Sequence, residues 1–151
     1  MANSQAMCTS FKAQILSGVH ALGTTVTRGS TAADTLKAAL YLASASLGAG
    51  TTVYSASGEV SGTNYTAGGV TVTNATAPTS SGTTAYWTPS ANFTFTNVTL
   101  ATSFDAVLVY NSTQGDKAIS VHTFGAQTVT AGNFVLSMPT NDASNALIRV
   151  A

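Results

Sequence analysis

The sequence predicts a mainly β fold, an antiparallel β-sandwich with one N-terminal amphipathic helix, and three observations predict it. Apolar residues recur at helical spacing near the N-terminus and at a spacing of two further on. Thr and Val dominate the later segments, and branching at Cβ confines χ1 to rotamers that extended backbone accepts. Clusters of Gly, Asn, Ser and Pro part these segments at intervals of roughly eight to twelve residues, the rhythm of a sandwich or barrel. The 151 residues fit one domain, long enough to bury a core without disulfides or metal. We divide it into an N-terminal arm (1–9), a helix (10–22) and the sandwich (35–151). Strand order does not follow from pattern, so a jelly roll and other sandwich topologies stay open.

The helix is read from Phe11, Ile15, Leu16, Val19 and Leu22, with Ser10 as N-cap and Gly23 closing the segment. A polar loop rich in Thr and Gly follows at 24–34. TLKAALYLA then sets Leu36, Ala38, Leu40 and Leu42 on alternate positions; its Ala and Leu suit a helix equally, and its surroundings favour a strand. Val70 and Val72 alternate with Thr behind Gly68-Gly69, a pair expected to mark a tight turn or bulge. Phe93, Phe95, Val98 and Leu100 punctuate the next strand, and residues 106–110 form a run buried on both faces. NSTQGDK (111–117) and TAGN (130–133) read as hairpin connections and PTSSG (78–82) as a loop, before a last strand at ALIRVA.

Charge excludes more than it suggests. Only 7% of residues are charged, against roughly 25% in ordinary soluble proteins, and five Lys and Arg balance five Asp and Glu. Nothing there attracts nucleic acid or an anionic membrane, so neither is an expected partner. A chain that is 44% hydrophobic with no net charge has little repulsion between copies, which points to assembly. The lone Cys8 fits a reducing cytoplasm. Lys12, Gln14, Ser17 and His20 break up any secretory signal, and no apolar run is long enough to span a membrane. The Asn-x-Ser/Thr triplets at Asn64, Asn74, Asn92, Asn97 and Asn111 are then by-products of composition, not glycosylation sites.

The same scarcity argues against catalysis, metals and cofactors, and no catalytic, cofactor-binding or metal-ligating residue is assigned. His20, His122 and Cys8 are too scattered to read as a ligand cluster. NDASN (141–145) lacks the Gly and distal Glu of a calcium loop and reads as a turn. No nucleophile-elbow spacing occurs; His122 reads as a sheet-surface residue, and His20 as a helix-closing one whose protonation the dipole favours. Asp34, Glu59, Asp105, Asp116 and Asp142 lie mostly in turn-like contexts rather than as a catalytic pair. Tyr86 and Trp87 suit either packing or a stacking platform for a sugar or a partner.

Four segments carry a resemblance: CTSFKAQILSGVH (8–20), the stretch from Leu36 to Thr76 with GEVSGTNYTAGG, the stretch from Ala106 to Asp142 with VYNSTQGDK, and the closing ALIRVA. Together they resemble a family of small virion structural proteins of tailed bacteriophages, over most of the chain. Where related chains continue after His20 with Asn-Phe, this one has Ala21-Leu22. The resemblance implies a non-enzymatic head decoration or cement protein on the capsid exterior, made in the host cytoplasm. Its implied partners are the major capsid protein and further copies of itself, as dimer or trimer. A tail or head-tail component is the alternative, ahead of a carbohydrate-binding module or a hydrolase. Phe11 with the segment ahead of it, Tyr86 and Trp87 are the candidate interface residues, beside the edge strands.

Overall fold

The computed structural model describes residues 2–16, 18–22 and 32–151. Gly23 and most of the loop at 24–34 lie outside them. The fold is mainly β, with two antiparallel sheets and one short helix. The elements are β1 (Ala6–Met7), α1 (Thr9–Leu16), β2 (Leu36–Leu42), β3 (Val70–Thr71), β4 (Thr79–Ser81), β5 (Thr84–Trp87), β6 (Phe93–Asn111), β7 (Lys117–Leu136) and β8 (Ile148–Val150). Five form one sheet in the order β1-β7-β6-β2-β3, and three form the other, β4-β5-β8. One buried cluster draws on both, joining Trp87 and Ile148 of the small sheet to Leu40, Phe93 and Leu108 of the large one.

The helix is shorter than its periodicity predicts. Gly18 adopts φ +67°, its N–H donates to Ile15 O and the next N–H, of Val19, to Gln14 O. These two bonds are the Schellman arrangement, which a glycine in the left-handed region closes at no steric cost. The helix therefore stops six residues early, and Val19 and Leu22 belong to the strap beyond it. Ser10 lies inside the first turn instead of capping it, and its buried Oγ has no partner among the described residues.

The N-terminal segment is no free arm. Ala6 and Met7 pair with Val121 and Ser120, the Asn3 amide donates to Leu42 O and Asp105 Oδ1, and its Oδ1 accepts from Leu47 N. This segment completes its own sheet.

β2 is a strand despite its helix-prone residues. Between β3 and β6 it is buried on both faces, so Ala38 and Ala39 sit as deep as Leu36 and Leu40. Tertiary pairing overrides propensity there. At its β3 side, Gly68 (φ +87°) and Gly69 (φ +71°) make the expected tight turn, and a Cβ on Gly69 would meet Ala38 O at 1.9 Å.

The short strands expected beyond residue 92 are instead one long hairpin, β6 and β7 of 19 and 20 residues. Its turn is the expected one, with Gly115 and Asp116 at positive φ. TAGN is no turn. Ala131 (φ +46°) bulges inside β7, where residues 129–132 oppose 98–100, and Asn97 (φ +51°) bulges inside β6 against Gly132 and Phe134. Side chains satisfy both bulges: Asn133 Oδ1 accepts from Asn97 N at 2.8 Å and Thr99 Oγ1 from Ala131 N at 3.0 Å. The hairpin connection expected at TAGN is thus overturned: turn-forming residues also suit a break in regular pairing, and the chain uses them here to bend a strand without ending it. Likewise PTSSG contains a strand, β4, whose hairpin to β5 turns at Gly82.

Candidate functional site

The three side chains singled out from sequence do not form one surface. Phe11 is 0% exposed and meets the His20 ring edge to face at 4.8 Å. Trp87 is 1% exposed, its indole N–H donating to Asn74 Oδ1 and Thr76 O, so it offers no stacking platform. Both are core residues, as large aromatics with satisfied polar atoms usually are. Tyr86 alone is partly open, opposite Arg149 across the β5–β8 pair.

Of the histidines, His20 is placed otherwise than expected, while His122 lies on the sheet, partly open to a surface concavity. His20 lies beyond the helix, hydrogen-bonded to Gln14 Oε1 and to Asn111 Nδ2. Burial lowers its pKa against the opposing pull of Asp34, so the dipole-favoured imidazolium is overturned. His122 is half-buried with Nε2 2.9 Å from Ser120 Oγ, and burial pushes its pKa down to about 4.

Two buried acids escaped the sequence reading. Glu59, the one charge in GEVSGTNYTAGGVTVTNAT, accepts from the Tyr54 hydroxyl at 2.6 Å, the Tyr65 hydroxyl at 2.8 Å and Gly68 N at 2.8 Å. Burial, then the bond to Glu59, raises both tyrosine pKa values. Tyr110 stacks on Tyr54 at 4.7 Å and donates to Gly68 O, which ties the connection between β2 and β3 to the large sheet. Asp34 accepts from Ala21 N, Asn111 Nδ2 and Gln114 Nε2. Burial raises its pKa and these bonds more than offset that, leaving it below the ordinary value. The legible signal was a lone acid flanked by tyrosines five and six residues away. Each of the two carboxylates accepts three hydrogen bonds from the chain itself, so both clusters act as pins.

Two surface features remain. The outer side of β7 is covered by β1 only at Ser120 and Val121, with the segment at Thr52 and Val53 crossing its start. From residue 123 to 136 no strand among the described residues lies there. Residues 118–138 contain neither a charge nor a proline. Separately, three concavities of about 690, 490 and 200 Å³ adjoin along β8 and α1: the first two share Met7 and Arg149, the last two Ile15 and Val150. Tyr86 lines the smallest.

Among the described residues no group of three or more His, Cys, Asp or Glu could hold a metal ion. No helix among the described residues is long and apolar enough to cross a membrane. No protein-family model matches the chain, and neither does any curated protein or solved structure.

Proposed function

We propose that the chain is a bacteriophage virion structural protein, a head decoration or cement protein that binds the assembled capsid shell from outside and stabilises it. The observation that carries the surface-binding part of this reading is the uncharged, proline-free outer edge of β7. Natural proteins guard long exposed edges with Lys, Pro or a covering element, because unpaired N–H and C=O groups accept a further strand. Among the described residues this edge is guarded by bulges, which divide it without closing it. Strand addition by a shell subunit would satisfy those groups, with Thr and Asn hydroxyls and amides completing a rim poor in charge, as interface cores are. The phage assignment itself rests on the resemblance of the sequence segments.

The mechanism is mass action: a subunit that binds only the closed shell shifts the equilibrium against opening, and repetition over a lattice multiplies weak contacts. No step requires a nucleophile, acid or base. The deciding measurement is the copy number relative to the major capsid protein in purified virions, by quantitative mass spectrometry. A ratio of about one, or a simple fraction of it, is expected for a lattice-bound subunit. A handful of copies per particle would move the protein to the tail or a single vertex and overturn the cement reading.

A further inference from the structure

The adjoining concavities along β8 form a trough whose contents point to a second partner contact, distinct from the β7 edge. Ile15 and Val150, 39% and 48% exposed, are two of the four large apolar residues left open to solvent among the described residues, and both lie in it. On β8, Ile148 and Val150 share the face that opposes Trp87 and Ala85; Ile148 is buried, whereas Val150, at the end of the strand, is not. Among the described residues β8 is also an edge strand, paired only with β5. Apolar floor and free backbone groups therefore coincide.

The charged side chains that line this place are all cationic. Lys12 and Arg149 line the middle concavity, and no acidic side chain lines any of the three. Neither cationic head group makes an ion pair or hydrogen bond among the described residues. Asp142, outside the lining, is close enough for Arg149 to help lower its pKa while also accepting from Asn145 and from Ser144 N, so part of the Arg149 charge is answered within the chain. Asp34 and Glu59 are committed to their own buried clusters. Two cations, neither in a salt bridge among the described residues, beside exposed apolar side chains favour an acidic and apolar segment, because like charge is rejected there and an uncharged polar segment would leave Ile15 and Val150 unfilled.

We infer that the trough docks an extended segment of a partner protein in which acidic and apolar residues alternate, laid along β8. Alternation matches the period of a strand, placing apolar side chains on Ile15 and Val150 and carboxylates toward Lys12 and Arg149. The inference rests on the reading that the chain works by binding other proteins, and its test needs no virion.

The probe is a fluorescein-labelled decapeptide alternating Asp and Val, compared with its Lys and Val counterpart by fluorescence anisotropy against the full chain. The acidic peptide is expected to saturate with an affinity at least about tenfold tighter than the basic one, and to weaken as salt is raised. The double variant Lys12→Glu and Arg149→Glu, checked for folding by circular dichroism, should reverse the preference. Val150→Asp should weaken the acidic peptide further than loss of either cation does. Absence of saturation, equal binding of both peptides, or a preference that survives the charge reversal would overturn the site. A protein that fails here yet occupies the shell lattice keeps the decoration reading and loses only this contact.

Discussion

The two halves of the β6–β7 hairpin are built from the same pair of strands and do opposite things. Toward the turn, residues 106–111 pair with 117–123 with a single register shift, between Val109 and Tyr110, flanked by β2 and β1, and Ala106, Leu108, Val109, Ala118, Ile119 and Val121 are all fully buried. Toward the open end, residues 93–100 pair with 129–136 through successive bulges, and β7 there alternates between partly buried and exposed positions. A sheet strand buried on both faces carries apolar residues without alternation, while one with a wet face carries Thr, Gln and Asn. The hairpin thus anchors at one end and presents at the other.

The largest expected difference between the halves is in stability. Leu108→Ala, at the centre of the anchored half, should cost about 3 kcal/mol, from lost burial and the cavity left behind. Val135→Ala, in the presenting half, should cost under about 0.5 kcal/mol, since its side chain already faces water. Urea unfolding of both variants checks the contrast. Equal costs would mean that the open end is as tightly packed as the anchored one.

His122 sits where the halves meet, opposite Val107, and gives a pH signature. Its pKa is about 4 in the folded chain against 6.5 when solvated, so between these values the unfolded chain binds a proton that the folded one refuses. Stability is unaffected by this group above pH 6.5, falls as pH drops, and reaches a full loss of about 3 kcal/mol below pH 4. Asp34, whose pKa is depressed, contributes stability above its unfolded value that is lost as pH falls through its folded one, so acid weakens the fold through both groups. Replacing His122 by Gln should flatten the midpoint-against-pH curve between pH 4 and 6.5. An unchanged slope would show that the imidazole is hydrated.

How much of this was legible in the sequence follows from where pattern and environment agree. The strand at 36–42, the paired faces at Phe93, Phe95, Val98 and Leu100, and the turn after Asn111 were legible because period and burial coincide there. The helix end was not: Gly18 and Gly23 offer the same chemistry, and only the local hydrogen bonds choose between them. The bulges at Asn97 and Ala131 escaped because a residue suited to a turn is equally suited to a bulge. Trp87 and Phe11 misled as interface residues because large aromatics serve core and contact surfaces alike. Of the trough, Tyr86 and the buried Trp87 behind it were anticipated; Lys12, Ile15, Arg149 and Val150 are brought together from opposite ends of the chain, a proximity that no local pattern encodes.

The smallest expected change in stability carries the sharpest functional contrast. Thr128 and Thr130 are exposed on the free edge of β7, and replacing both by Lys adds charge where neither side chain is packed. Each change should alter stability by no more than about 0.5 kcal/mol. Strand addition is another matter: an incoming backbone would lie roughly 4.8 Å away, crowding two ammonium groups that must stay hydrated, which is how natural edges refuse a partner. Shells lacking the protein should therefore bind the double-Lys chain far less than the unaltered one in a co-sedimentation titration. Thr83→Lys, in the exposed turn between β4 and β5, should bind as the unaltered chain does. If the double-Lys chain still saturates the shell, the β7 edge is not the contact, and the presenting half of the hairpin is open for a reason other than pairing.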